Sequence, residues 1–144
     1  MRRLAIRLER DHAMSVTRVA VRADRLVYAL VADRRVQYDG AKSRVVYIGT
    51  TRMGASRLAS SAAERADSIL REHGIRSFSV RVMTCRSRQR VRTWHKLERA
   101  LLLIFKEMYG TVPKCNSHGV NMEEADEFYY FARARVRDVL EELA

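Results

Sequence analysis

Leu26-Val27-Tyr28-Ala29-Leu30-Val31 and Val45-Val46-Tyr47-Ile48-Gly49-Thr50 are the two stretches on which the fold turns. Both are rich in Val, Leu, Ile and Tyr, which suit a pleated, half-buried strand. Residues 33–43 between them are polar and carry Asp39-Gly40, a step that favours a tight hairpin connection. Two strands paired antiparallel are therefore expected over 26–31 and 45–50. Past Thr50-Thr51 the period changes, and Leu58, Ala62, Ala66 and Ile69 recur at helical spacing. A helix is expected over 55–73, with Ser56 as its N-cap and His73-Gly74 as its exit. Arg57 lies in its first turn, and Ser61 one turn later on the same flank.

From Ser77 to Thr84 the chain alternates, Phe78, Val80 and Val82 against Ser79 and Arg81, as a half-buried third strand does. Arg86, Arg88, Arg90 and Arg92 form a dense basic cluster, expected to open a second helix that runs to about Tyr109. Positive charge in a first turn opposes the helix dipole, and contact with phosphate would offset that; a solvated face is the alternative. A third helix is expected over 122–143, with an apolar stripe from Phe128 to Leu140 and an acidic start at Glu123, Glu124, Asp126 and Glu127. At the other end, Leu4, Ile6 and Leu8 alternate with Arg3, Arg7 and Glu9, which suits a short strand or a basic arm equally. Val19 and Val21 could extend a second strand there. The expected class is α/β: a small central antiparallel sheet flanked by helices, in a single domain.

Lys and Arg number 28 against 17 Asp and Glu, a net charge of +11. Such a surplus invites polyanions, nucleic acid before an anionic membrane surface, although a merely solubilising basic surface gives the same total. No apolar run is long enough to span a bilayer, Met1-Arg2-Arg3 opens no signal sequence, and no membrane partner is expected. Cys85 and Cys115 are too far apart for metal-ligand spacing, and a reducing, cytoplasmic compartment is the expectation. A homo-oligomer is possible, but nothing in the sequence indicates one.

Glu98 is the position that the fold alone does not explain. Projected at about 100° per residue, Val91, Trp94, Leu97, Leu101, Leu102, Phe105 and Met108 share one arc of the second helix, and Glu98 falls inside it. A carboxylate on a core-facing stripe is costly unless it is paired, protonated or bound to metal. Pairing with an arginine is one reading. The other, preferred here, is a metal ligand pointing into a cleft.

Tyr28 on one strand, Tyr47-Ile48-Gly49 on the next, Arg57 on the following helix, Glu98 on a later helix and Asn116 in the loop beyond it form an ordered set. In that order they resemble the GIY-YIG nuclease superfamily, over residues 24–118. The resemblance implies an N-terminal extension over 1–23, a nuclease domain over 24–120, and a C-terminal helix over 121–144 packed on that domain. It also implies a catalytic set. Glu98 would hold one Mg²⁺ or Mn²⁺, and Tyr28 would accept the proton of the attacking water. Tyr47 would orient water or phosphate, Arg57 would fork onto phosphoryl oxygens, and Asn116 would brace the site. Gly49, Arg86, Arg88, Arg90, Arg92 and Lys114 are the expected contacts to DNA, most readily a duplex.

Two positions depart from the family pattern. Leu26-Val27-Tyr28 stands where the family shows Gly-Ile-Tyr, and Ser61 stands where many relatives carry a His or Tyr. A serine cannot take a proton near neutral pH, so Ser61 is expected to be nearly idle. The function expected is metal-dependent endonuclease cleavage of DNA. The alternative is a catalytically weak or inactive nucleic-acid-binding module of the same fold. A basic scaffold for protein partners would use none of the five positions.

Overall fold

The computed structural model describes residues 3–22, 25–52, 54–72 and 74–144. β1 (Leu26–Gln37) and β2 (Lys42–Thr51) form the expected antiparallel hairpin, with Leu26 opposite Thr51, Tyr28 opposite Gly49 and Leu30 opposite Tyr47. β3 (Phe78–Met83) pairs antiparallel with the other edge of β1, giving the order β2-β1-β3 among the described residues. β1 is thus central, and from Leu26 to Ala32 it is buried throughout. The result is a small α/β domain with a three-stranded antiparallel sheet flanked by helices, the class expected.

Both hairpin strands outrun the apolar stretches that announced them. Beyond Ala32 there is no β3 partner, so residues 33–37 and β2 continue as a two-stranded ribbon with irregular register. Tyr38 anchors its end. The ring is buried against Phe105 and Tyr109, its hydroxyl donates to the Val45 carbonyl at 2.7 Å, and its N–H closes the turn onto the Ala41 carbonyl at 2.8 Å. Packing of one aromatic side chain therefore sets the length of the ribbon, and the polar composition of 33–37 does not reveal it.

α2 (Gly54–Leu70) buries Leu58, Ser61, Ala62 and Ile69. It starts before Ser56, so Ser56 is a helical residue and not the cap. His73, the other half of the expected exit, lies outside the described residues; Gly74 beside it has φ +82°, the left-handed conformation open to glycine. α3 (Thr93–Tyr109) runs along β2 and β1 and ends on Gly110, also left-handed. A Cβ at Gly110 would lie 2.7 Å from the Cβ of Asp39, so a bare residue lets the hairpin turn sit against the helix end.

The remaining expectations are corrected. α3 begins at Thr93, and the basic cluster precedes it as a tight turn, with Arg88 bridging to Val91 and Arg90 at φ 63°. No helix has to begin on four arginines, and the conflict with the dipole is reduced.

In place of one helix over 122–143 there are α4 (Glu127–Tyr130) and α5 (Arg133–Leu143), separated by extended backbone at Phe131 and Ala132. Glu127 is the cause. Its fully buried carboxylate accepts from Arg99 on α3 at 2.6 Å and from the Ala125 N–H at 2.7 Å, which ties the segment to α3 before a continuous helix can form.

Residues 4–8 form no strand, because a strand needs a partner and none of the described residues supplies one. Leu4, Ile6 and Leu8 are more than nine-tenths exposed, and Val19–Arg22 is a short helix (α1) instead of a strand. Among the described residues no helix is long and apolar enough to cross a membrane.

Candidate functional site

The hairpin and α2 bring Tyr28, Tyr47, Gly49 and Ser61 to one place. Tyr28 and Tyr47 lie two residues apart across the β1–β2 register and share a sheet face, with ring centroids 5.8 Å apart. Between them the chain has Gly49. A Cβ there would fall 2.7 Å from Cε1 of Tyr47 and 2.9 Å from the Tyr28 hydroxyl. Gly49, expected to admit a phosphate to the backbone, is buried, and the two tyrosines occupy its space. Its role is to let those rings close.

Ser61 is buried on α2 and its hydroxyl is hydrogen-bonded to that of Tyr28. Arg65, one turn further, donates through Nη1 to Ser61 Oγ at 2.9 Å and to the Ser61 carbonyl at 3.3 Å. The guanidinium also lies over the Tyr47 ring, 3.9 Å from its centroid. Because Arg65 can only donate, Ser61 Oγ accepts from it and has its own proton free for the Tyr28 oxygen. A chain Arg65–Ser61–Tyr28 results, which the sequence reading missed. Its signal was present: Arg57, Ser61 and Arg65 follow at four-residue steps along one flank. Arg57 itself is exposed and has no hydrogen bond or ion pair among the described residues.

Tyr47 is pushed up to about 12 by burial first and by Tyr28 beside it, against the opposing charge of Arg65; Glu98 adds to the rise. It therefore stays protonated at neutral pH and can act as a donor. Glu98 on α3 is thus within electrostatic reach of Tyr47, as the weakest of these influences. Glu98 is half-buried, and burial pushes its carboxyl up to about 7 despite the neighbouring charge of Arg99. It has no hydrogen bond or ion pair among the described residues, since Arg99 goes to Glu127.

Asn116 is buried at the far side of β2. Its side-chain oxygen accepts from the Ile48 N–H at 3.0 Å and its amide donates to the Ile48 carbonyl at 2.9 Å. With the Cys115 N–H on the Val46 carbonyl at 2.9 Å, the 115–116 loop covers the outer edge of β2 behind Tyr47 and Gly49. Asn116 thereby ties the 115–116 loop to β2.

Arg86, Arg88, Arg90 and Arg92 are exposed on the turn ahead of α3 and make no ion pair among the described residues. The fold does not bring Lys114 to them. Its backbone N–H meets the Tyr38 hydroxyl at 3.1 Å near the C-terminal end of α3, about 25 Å of helix away, and its ammonium pairs with Glu72 at 3.6 Å.

No group of three or more His, Cys, Asp or Glu that could hold a metal occurs among the described residues. Among the described residues of the site, Glu98 alone offers an unpaired carboxylate oxygen, the donor type that a hard divalent cation takes. Neither a protein-family model nor a curated protein nor a solved structure matches this chain.

Proposed function

We propose that this chain is a GIY-YIG-type endonuclease that hydrolyses DNA phosphodiester bonds with Mg²⁺ or Mn²⁺ bound at Glu98. The observation that carries the reading is Glu98 itself. A half-buried carboxylate held there for structure would be paired, and the arginine next to it is committed elsewhere. It acts electrostatically on Tyr47, one of two tyrosines whose approach is secured by Gly49. The net charge of +11 supplies the attraction to DNA. Cys85 and Cys115 are free thiols, in keeping with a reducing, cytoplasmic setting.

In this reading Tyr28 takes the proton of the attacking water as its own hydroxyl proton passes to solvent. Ser61 donates to the Tyr28 oxygen and passes on the influence of Arg65, which stabilises charge as it develops there. The serine thus works as a donor where a histidine would work as a base. Tyr47, held protonated, donates to the water or to a phosphate oxygen. Arg57, free in solvent one turn before Ser61, forks onto the phosphoryl oxygens. Asn116 fixes the backbone of Ile48, and with it the position of Tyr47. The bound cation would neutralise charge on the scissile phosphate and on the departing oxygen.

The second reading is a nucleic-acid-binding module with negligible catalysis. Ser61 in place of a proton acceptor and the solvent-held Arg57 favour it. Supercoiled plasmid incubated with the protein and Mg²⁺ separates the two. Nicked and linear products that EDTA abolishes are expected. Intact plasmid, retained by the protein in a gel shift, would leave the binding module standing.

A further inference from the structure

Trp94, in the first turn of α3, is buried, and two cations converge on its indole. The guanidinium carbon of Arg25 is 5.0 Å from the ring centroid and that of Arg52 is 5.6 Å from it. These arginines flank the same end of the hairpin, one just before Leu26 and the other just after Thr51, which are paired in the ladder. Both are exposed, and neither makes an ion pair among the described residues. Arg92 and His95 complete the group. His95 is pulled below its ordinary range by burial first and then by the charges of Arg92 and Arg52, so positive potential is concentrated here.

The acids nearby on α4 and its approach do not relieve it. Asp126 is taken by Lys96 at 2.6 Å and Glu127 by Arg99 at 2.6 Å. Guanidiniums gathered on one ring repel each other, and a cation–π contact at an exposed site offsets only about 0.5–1 kcal/mol each. An anion would settle the arrangement. Guanidinium forks suit phosphate oxygens, and a buried indole orients the forks without offering a face for a base to stack on.

We propose that Arg25 and Arg52, oriented by Trp94 and joined by Arg92, form a second phosphate-binding site that takes the sugar–phosphate backbone of the nucleic acid beside the phosphate being cleaved. The site rests on the nucleic-acid reading above and extends it. Trp94 precedes Glu98 by one helical turn, about 6 Å along the axis, so the arginine-bearing ring and the proposed cation ligand are neighbours on one helix. Contacts of this kind fix register and orientation and carry no sequence information.

The test uses the Glu98→Gln protein, so that bound DNA stays intact, with Arg25→Gln/Arg52→Gln added. Dissociation constants for a 30-base-pair duplex are measured at four salt concentrations by fluorescence anisotropy. The slope of log affinity against log salt should flatten by about 1.8, two phosphates at roughly 0.9 each, with about tenfold weaker binding at low salt. Two unrelated duplex sequences should lose affinity equally. Arg25→Lys/Arg52→Lys should retain most of the slope, which shows that charge at this place is what matters. Arg71→Gln/Arg137→Gln removes equal charge from ion-paired arginines elsewhere and should leave the slope nearly unchanged.

Melting temperatures within a few degrees of the parent establish that the variants are folded. If the parent binds with a steep slope and the double Gln variant has the same slope, the second site is wrong and the nuclease reading survives. An equal loss in the Arg71/Arg137 control also overturns the site, since bulk charge would then explain the result. A parent that binds DNA with no salt dependence removes the nucleic-acid reading and this site with it.

Discussion

Arg99 pairs with Glu127 at 2.6 Å and not with Glu98, its neighbour in sequence. Two acids compete for one guanidinium on α3, and the fully buried one has it. Glu98 is left without an ion pair, and burial, only partly opposed by the charge of Arg99, pushes its carboxyl up to about 7.

That displacement fixes how Glu98→Gln should behave with pH. The folded value lies above the unfolded one of 4.5, so the folded state holds this proton more tightly. Stability from the neutral acid is fully present below pH 4.5 and is lost as pH rises through about 7. Above that the wild type carries a penalty of at most about 3 kcal/mol that the glutamine does not. The variant should melt higher than wild type at pH 8 and at nearly the same temperature at pH 4.5. Cleavage with Mg²⁺ should be abolished at both. A variant that melts lower at pH 8 would show that Glu98 is half of an ion pair.

Ser61→Ala tests the serine's standing. The sequence alone suggested an idle position, but the hydroxyl is buried and joins Arg65 to Tyr28. Losing both hydrogen bonds costs about 2 kcal/mol of stability and, if the one to Tyr28 strengthens during reaction, roughly a tenfold fall in rate. Single-turnover cleavage beside thermal melting measures both. An unchanged rate would mean that the contact only packs.

Asn116 should prove to be a brace. Asn116→Ala removes two hydrogen bonds to Ile48 and should destabilise the fold by about 2 kcal/mol, with cleavage per folded molecule falling little. Asn116→Asp keeps the acceptor and loses the donor to the Ile48 carbonyl, so it should be no better than Ala. A normal melting temperature with lost cleavage would place Asn116 in contact with substrate.

Glu127→Gln should be the most damaging change for stability, although it lies outside the proposed chemistry. It leaves Arg99, itself about a third exposed, with a neutral partner, and about 1.5–3 kcal/mol is expected to be lost. Urea denaturation gives the figure. A loss under 1 kcal/mol would mean that the pair contributes little and that the break between α4 and α5 has another cause.

The sequence made some of this visible and hid the rest for definable reasons. The Val- and Tyr-rich stretches around Tyr28 and Tyr47 and the Asp39-Gly40 turn are local signals, and the hairpin formed where they stood. Glu98 stood out because a charge interrupts an apolar arc, a pattern within one helix, and it is half-buried there without an ion pair among the described residues. What was hidden depends on distant partners. The ribbon beyond Ala32 needs Tyr38 to meet Phe105, and the break after Tyr130 needs Glu127 to meet Arg99. Arg65 was passed over because its partner Tyr47 comes from another element. The N-terminal alternation misled, since period-two spacing says nothing about whether a neighbouring strand exists.

β1 gives one edge to β2 and the other to β3. Amides between Val27 and Ala32 are therefore locked from both sides, and their exchange with heavy water should require the whole sheet to open. Tyr28 lies in that segment. The proton-accepting residue of the proposed site is thus among the last parts of the chain to loosen, whereas Arg25, Arg52 and Arg57 project from strand ends and a helix start. Heating or mild denaturant should release the grip on the substrate backbone first, and leave the tyrosine pair assembled until the fold itself gives way.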